Sequence, residues 1–293
     1  MMTHAQTSAL IVTADDFGLA LPVNDAVETA HREGILTAAS LMVAAPAAED
    51  AVRRARRLPG LGVGLHLMLM DGRPMLPPRV IPDLVGPDGR LLTDPVKIGV
   101  KLFFDREVQR QAEAEIRAQC ARFMASGLPL DHVNGHHHFH QHPTVVGMLI
   151  RLAPEFGIKA VRMPIEPPGP AFRAQGDAAL IRYLGWFFSA ARLLRMRERL
   201  NEAGIAVNDA MFGLYDTGRM TADRLDRYLA ARPAAGSTEI YCHPAVRRWI
   251  GPDALPEHYR CVEEFAAIAD PARRARLARE GVRLMSFAGL ASP

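Results

Sequence analysis

The chain has 293 residues, of which 49% are hydrophobic, enough for one large core. Its formal charge of +3 is small for this length, so nothing in the net charge calls for a nucleic-acid partner. Three cysteines without metal-type spacing (Cys120, Cys242 and Cys261) argue against a disulfide framework and for a reducing compartment. The opening residues lack a basic segment, and the apolar run Ala9-Leu10-Ile11-Val12 is too short for a signal peptide. No stretch reaches the length of a charge-free membrane span, so a cytoplasmic, soluble protein is expected.

In chain order, short apolar runs alternate with helical patterns. The predicted strands are 8–14, 36–43, 61–68, 130–138, 159–163, 207–212, 237–242 and 282–287. The predicted helices are 22–33, 46–57, 105–126, 143–156, 177–203, 219–231 and 258–280. Such alternation predicts parallel βαβ units. The number of repeats favours an α/β fold closed into a distorted (β/α) barrel of seven to eight parallel strands, as a single domain over 1–293. No Gly-x-Gly-x-x-Gly follows the first strand, which weakens a dinucleotide-binding reading. Two Pro-rich insertions, 70–100 and 164–177, each follow a strand. In a barrel, loops leaving the strand C-termini build the active site, so both are candidate substrate walls or, alternatively, tolerated surface loops.

The segment 178–200 carries Trp186, Phe187 and Phe188 among aliphatic residues, together with Arg182, Arg192, Arg195, Arg197 and Arg199. It reads either as a barrel helix packed on the core or as a basic, apolar lid that contacts a lipid or membrane surface.

Chemistry concentrates at strand ends. Asp15-Asp16 follow Leu10-Ile11-Val12. Adjacent carboxylates repel unless a cation or proton intervenes, and a turn at Phe17-Gly18 would bend both toward one cavity; a helix cap is the plainer alternative. His66 follows Gly64-Leu65 on a buried strand and on its own reads as a core histidine. The run His136-His137-His138 changes that balance. On an extended strand His132, Asn134, His136 and His138 share one face and His137 and Phe139 the other. Such an imidazole stripe needs partners or a metal. His243 ends the strand before Pro244. Arg162 ends another, placed to pair with a carboxylate or to lie on the surface.

Together these residues predict metal-assisted hydrolysis. A divalent ion is expected on Asp16, His66 and His136. Asp15 is the expected general base and His243 the acid for the leaving amine. His138 is expected to contact substrate or to support a ligand.

At these positions the chain resembles the YdjC-like carbohydrate deacetylases, which include the chitooligosaccharide deacetylases. The shared features are Ala14-Asp15-Asp16-Phe17-Gly18, Gly64-Leu65-His66, His136-His137-His138-Phe139-His140 and Cys242-His243-Pro244, and the similarity runs from about Ala9 to Leu290. The resemblance implies a distorted barrel, a magnesium- or zinc-type ion and removal of acetyl from an N-acetylated sugar. It also implies Asp16, His66 and His136 as ligands and Asp15 as the catalytic acid/base. Family members often carry Asp-Ser before the triple His where this chain has Asn134-Gly135, a change that bears on ligand tuning or substrate contact. With the apolar helix and Gly213-Leu214-Tyr215-Asp216-Thr217-Gly218, the Asn-Gly form looks like the branch associated with hopanoid biosynthesis, which implies an N-acetylglucosaminyl lipid as substrate. A metal phosphoesterase on the same barrel is one alternative, and a non-catalytic lipid- or sugar-binding accessory protein another. Barrels of this size often dimerise, so a homodimer is also an expectation.

Overall fold

The computed structural model describes residues 8–175 and 179–291. Seven parallel strands form one sheet: β1 (Ala9–Phe17), β2 (Ala38–Leu41), β3 (Gly62–Leu67), β4 (Val133–Gly135), β5 (Ala210–Phe212), β6 (Ser237–Cys242) and β7 (Arg283–Leu284). Their order is β4-β3-β2-β1-β6-β5, with β7 pairing the start of β1. Strand β1 sits centrally, and all nine of its residues are buried. A parallel strand covered on both faces must be apolar almost throughout, and Ala9-Leu10-Ile11-Val12 meets that demand.

Between the edges β4 and β5 the predicted strand 159–163 is reduced to isolated bridges, Val133 to Val161 and Ala160 to Ala206. The closed barrel of seven to eight full strands is therefore a curled, part-closed sheet of seven, its gap spanned by single rungs. The expected strand 130–138 is also shorter. It stops at Gly135, because His137 and His138 adopt left-handed backbone angles (φ 51° and 54°) inside a 3-10 turn, His136–Gln141.

Helices follow their capping chemistry. Pro22 opens Leu21–Glu33. The Asp105 carboxylate accepts from the amides of Glu107 and Val108 to start Arg106–Ala125. Gly157, left-handed, ends Pro143–Phe156. The predicted helix 258–280 is two helices, Cys261–Ala269 and Pro271–Arg279. Pro271 cannot donate to the preceding turn, and Asp270 caps the second helix. The predicted helix 177–203 is Ala179–Glu202, its residues 177 and 178 lying outside the described part of the chain.

The insertion 70–100 is tied down rather than loose. Helix Arg106–Ala125 turns a buried polar stripe toward it, with Gln111, Glu115 and Gln119 at intervals of four residues. Glu115 accepts from the amides of Met75 and Leu76, Gln111 from that of Asp83, and Gln119 from that of Met68. The end of the insertion is itself helical, at Pro95–Phe104. The second insertion, 164–177, holds the short helix Pro168–Gln175.

Helix Ala179–Glu202 divides in two. Leu193, Met196 and Leu200 are buried, whereas Leu180, Ile181, Leu184, Phe187 and Phe188 are exposed. Arg182 is buried between Glu166, Asp216 and Tyr228 and fastens the exposed half to the body. The helix is thus core-packed at one end only. Among the described residues no helix is long and apolar enough to cross a membrane.

Candidate metal centre

The C-terminal ends of β1, β3, β4 and β6 converge on one buried polar cluster. The expected turn at Phe17-Gly18 begins one residue earlier. Asp16 has a φ of 65°, and the β1–β2 register slips between Ala14 and Phe17. This kink sends two neighbouring carboxylates into the same space, where an ideal strand would send them to opposite faces. Asp15 and Asp16 are each 2% exposed.

Parallel pairing places His66 on β3 directly beside Asn134 on β4. The His66 Nδ1 lies 2.7 Å from the Asn134 Oδ1, while the Asn134 amide nitrogen donates to Asp15 Oδ1 (3.1 Å) and Ser40 Oγ (2.8 Å). A flipped Asn134 would set its oxygen against the Asp15 carboxylate, so the amide orientation follows from its neighbours. His66 Nδ1 then carries the proton, and Nε2 faces Asp16 Oδ1 at 3.3 Å. His136 Nδ1 lies 3.5 Å from the same oxygen. Although close, Asp16 Oδ1 and His66 Nε2 are buried and lack a hydrogen-bond partner among the described residues.

Orphaned polar atoms facing one another in a buried site call for a third body. Donors held about 2.0–2.1 Å from a tetrahedral ion stand roughly 3.3–3.4 Å apart, close to the spacings here. One carboxylate and two imidazoles form a borderline donor set suited to such an ion. The residues present therefore fit a metal ion, and Asp16, His66 and His136 offer donor atoms all within 4.8 Å of one another. Burial opposes a charged His66, but the Asp15 and Asp16 carboxylates outweigh it and raise its pKa.

Arg162 is fully buried beneath this cluster and is not a surface charge. It donates to both Asp15 oxygens (2.6 and 2.9 Å) and to Glu239 Oε1 (2.7 and 2.9 Å). Burial alone would push the Asp15 carboxyl up, yet the guanidinium holds it well below the usual carboxylate range, so it stays ionised. Glu239 also accepts from the Thr13 hydroxyl at 2.7 Å. Gly64 makes room for His132, since a β-carbon there would lie 2.4 Å from that ring, and His132 in turn supports Ser40 at 3.1 Å.

The remaining expected residues divide between the site and its supports. His243 ends β6 at the same rim, 7% exposed. Its backbone amide donates to Glu264 at 2.6 Å, and its Nδ1 has no partner among the described residues. Burial lowers its pKa despite the two aspartates. His138 Nε2 meets the Tyr241 hydroxyl at 3.1 Å, and Tyr241 lies under the Arg162 guanidinium at 4.9 Å. Asn134 is fully buried, with its carbonyl and amide turned to His66, Asp15 and Ser40. Its expected contact with substrate is corrected to an orienting one. His137 turns outward to Asp71, 3.1 Å away.

A cleft of about 140 Å³ opens onto Asp16 and His136. Asp71, Gly72, Arg73 and Arg90 line it, so the insertion 70–100 does form a wall; of the second insertion, none of the described residues 164–175 does. Sequence reasoning missed Ser40, Glu239, Tyr241 and Glu264. Glu239 had a legible signal, as a lone acid in an apolar strand that needed a cation such as Arg162.

The YdjC-like protein family matches residues 9–279 of this chain. The chain belongs to that family. Among YdjC-like relatives, a carbohydrate deacetylase of Geobacillus stearothermophilus is 31% identical over 280 residues, covering 94% of this chain and 96% of its own. One of Mus musculus is 31% identical over 304 residues, covering 97% and 95%. One of Brevibacillus brevis is 40% identical over 159 residues, about half of this chain and 59% of its own length. A crystal structure from Enterococcus faecalis V583, provisionally named for cellobiose-phosphate cleavage, superposes with a TM-score of 0.73 at 22% identity. It covers 98% of this chain and all of its own, and shows that the YdjC-like chain shares its fold.

Proposed function

We propose that this YdjC-like protein is a metal-dependent hydrolase that removes the N-acetyl group from an N-acetylglucosamine-containing glycan or glycolipid. The observation that carries the reading is the pairing of two unlike carboxylates. Asp16 faces two imidazoles across unpartnered atoms, while one residue away Asp15 is ionised by Arg162 and points into the same space. A binding protein has no use for the second. The curated relatives named carbohydrate deacetylases support the same substrate class.

Held by Asp16, His66 and His136, a zinc or magnesium ion would polarise the amide carbonyl and lower the pKa of the attacking water. Asp15 accepts the proton of that water. Arg162 keeps Asp15 ionised and fixes its plane through two parallel hydrogen bonds. His243, whose buried Nδ1 has no partner among the described residues, gives a proton to the departing amine. His138, steadied by Tyr241, is the proposed contact for the sugar.

In its finer form the reading takes an N-acetylglucosaminyl hopanoid as substrate, on the Asn134-Gly135 and 213–218 motifs. The exposed apolar half of helix Ala179–Glu202 then meets a membrane surface from the cytoplasmic side. The test is acetate release by metal-reconstituted protein, wild type beside Asp15→Asn, from that hopanoid and from N,N′-diacetylchitobiose. Release that disappears in Asp15→Asn while metal binding persists is the expected result. Release from the soluble sugar alone would remove the lipid reading, and turnover retained by Asp15→Asn would remove its role as base.

A further inference from the structure

The reaction cleft continues into a second, wider groove of about 530 Å³; the two share Leu19, Pro46, Pro252 and Asp253. Its floor and rim are Leu19, Leu21, Pro46, Trp249, Ile250 and Pro252. A single exposed aliphatic residue carries no message. Here, however, Ile250 stands fully exposed beside a half-buried Trp249 and a half-exposed Leu21, all facing one trough that empties into the metal centre.

The charged residues of the groove are already committed. Arg53 pairs with Asp50 at 3.0 Å and Arg122 with Glu49 at 3.3 Å, while Arg73 and Arg90 both hold Asp253, at 3.0 and 2.8 Å. What remains for a ligand is the apolar surface. The loop that presents it is fixed, since the Arg248 guanidinium donates to the carbonyls of Leu255, Pro256 and Tyr259, and the amide of Val246 donates to the carbonyl of Pro22. By contrast, helix Ala179–Glu202 lines neither cavity.

We infer that this groove binds an apolar aglycone, the hydrocarbon group attached to the acetylated sugar, with Trp249 and Ile250 as its specificity-determining contacts. The inference rests on the deacetylase reading and adds where the rest of the substrate lies. The carboxylates and imidazoles take the amide, and the trough next to them takes the part of the molecule that water rejects.

The experiment compares acetate release from octyl and methyl N-acetyl-β-glucosaminide, with N,N′-diacetylchitobiose alongside. In wild-type protein the octyl chain lowers KM about ten-fold, equivalent to two buried methylenes. In Trp249→Ala and in Ile250→Asn the ratio of the two KM values falls toward one. Ile250 is fully exposed, so its variant keeps the fold intact. Equal KM values in the wild type overturn the inference. So does a preference that survives both substitutions, one that is lost in Trp186→Ala instead, or a gain confined to chitobiose, which would make Trp249 a sugar platform. A second readout needs no turnover. In a Trp186→Phe background Trp249 is the remaining tryptophan, and its fluorescence should shift with octyl glucoside below its micellar concentration and stay constant with methyl glucoside. No acetate from any glycoside, with that shift present, would refute the deacetylase reading and leave the groove standing; no shift would refute the groove.

Discussion

Asn134→Leu removes a side chain that makes three hydrogen bonds, yet the structure limits what is lost. Asp15 Oδ1 keeps the Arg162 guanidinium at 2.9 Å, and Ser40 Oγ keeps His132 Nε2 at 3.1 Å. Only His66 Nδ1 is left without a partner in a buried site. The expected cost to the metal-free fold is that of one orphaned donor, about 1–3 kcal/mol, not the sum of three bonds. The larger consequence falls on the metal centre. With no acceptor behind it, the His66 ring loses the interaction that fixes its tautomer and aims Nε2 at Asp16. Loss of such a support costs about 10- to 100-fold in metal affinity. Calorimetric titration of the metal-free protein with Zn²⁺, beside denaturant unfolding of the same sample, separates the two effects. Ser40→Ala serves as the control, because it removes one contact of Asn134 and none of His66. Unchanged affinity in Asn134→Leu, or an equal loss in Ser40→Ala, would refute the orienting role.

Three further outcomes follow from the same structure. Arg162→Met leaves Asp15 and Glu239 buried without their cation, so unfolding should cost about 3–5 kcal/mol less than in the wild type, read by urea denaturation of the metal-free protein. His140 is buried with its Nε2 on the Arg162 carbonyl, and burial depresses its pKa to about 3 from the ordinary 6.5. The unfolded chain therefore takes up the proton first. The neutral-histidine contribution is whole above pH 6.5 and is lost as pH falls toward about 3, by about 1.4 kcal/mol per pH unit; a pH series of denaturation curves should flatten in His140→Gln. Finally, the triple change of Trp186, Phe187 and Phe188 to Ser should abolish co-sedimentation with anionic vesicles and leave the melting temperature nearly unchanged, since these side chains are 40–79% exposed. A fall in melting temperature with vesicle binding retained would refute the membrane role.

Much of the fold is written in period-two and helical patterns, and β6 and helix Pro143–Phe156 fall where apolar alternation and caps place them. The departures around the site share a cause. Asp16, His137 and His138 adopt left-handed backbone angles, which a sequence announces through Gly or Asn and not through a run of histidines. Reading 130–138 as one strand put His136 and His138 on a common face. The turn instead sends His136 to Asp16, His137 to Asp71 and His138 to Tyr241. The grouping of Asp16, His66 and His136 was nevertheless legible, because Asp16 and His66 are fixed by strand ends and His136 directly follows the last paired residue of β4. Strand 159–163 failed for a different reason. Its apolar residues are real core, but backbone pairing needs a neighbour in register, and only one rung on each side finds one.

Asp15 and Glu239 share the Arg162 guanidinium while Asp16 faces His66, so this buried cluster sets three carboxylates against one permanent cation, a surplus of two. Burial leaves that surplus poorly screened. A divalent ion balances it, whereas a monovalent one leaves half of it standing. An ion bound there would complete the core as well as the proposed reaction machinery. Competence and stability would then be tied together, and chelators should lower the melting temperature before any substrate is offered.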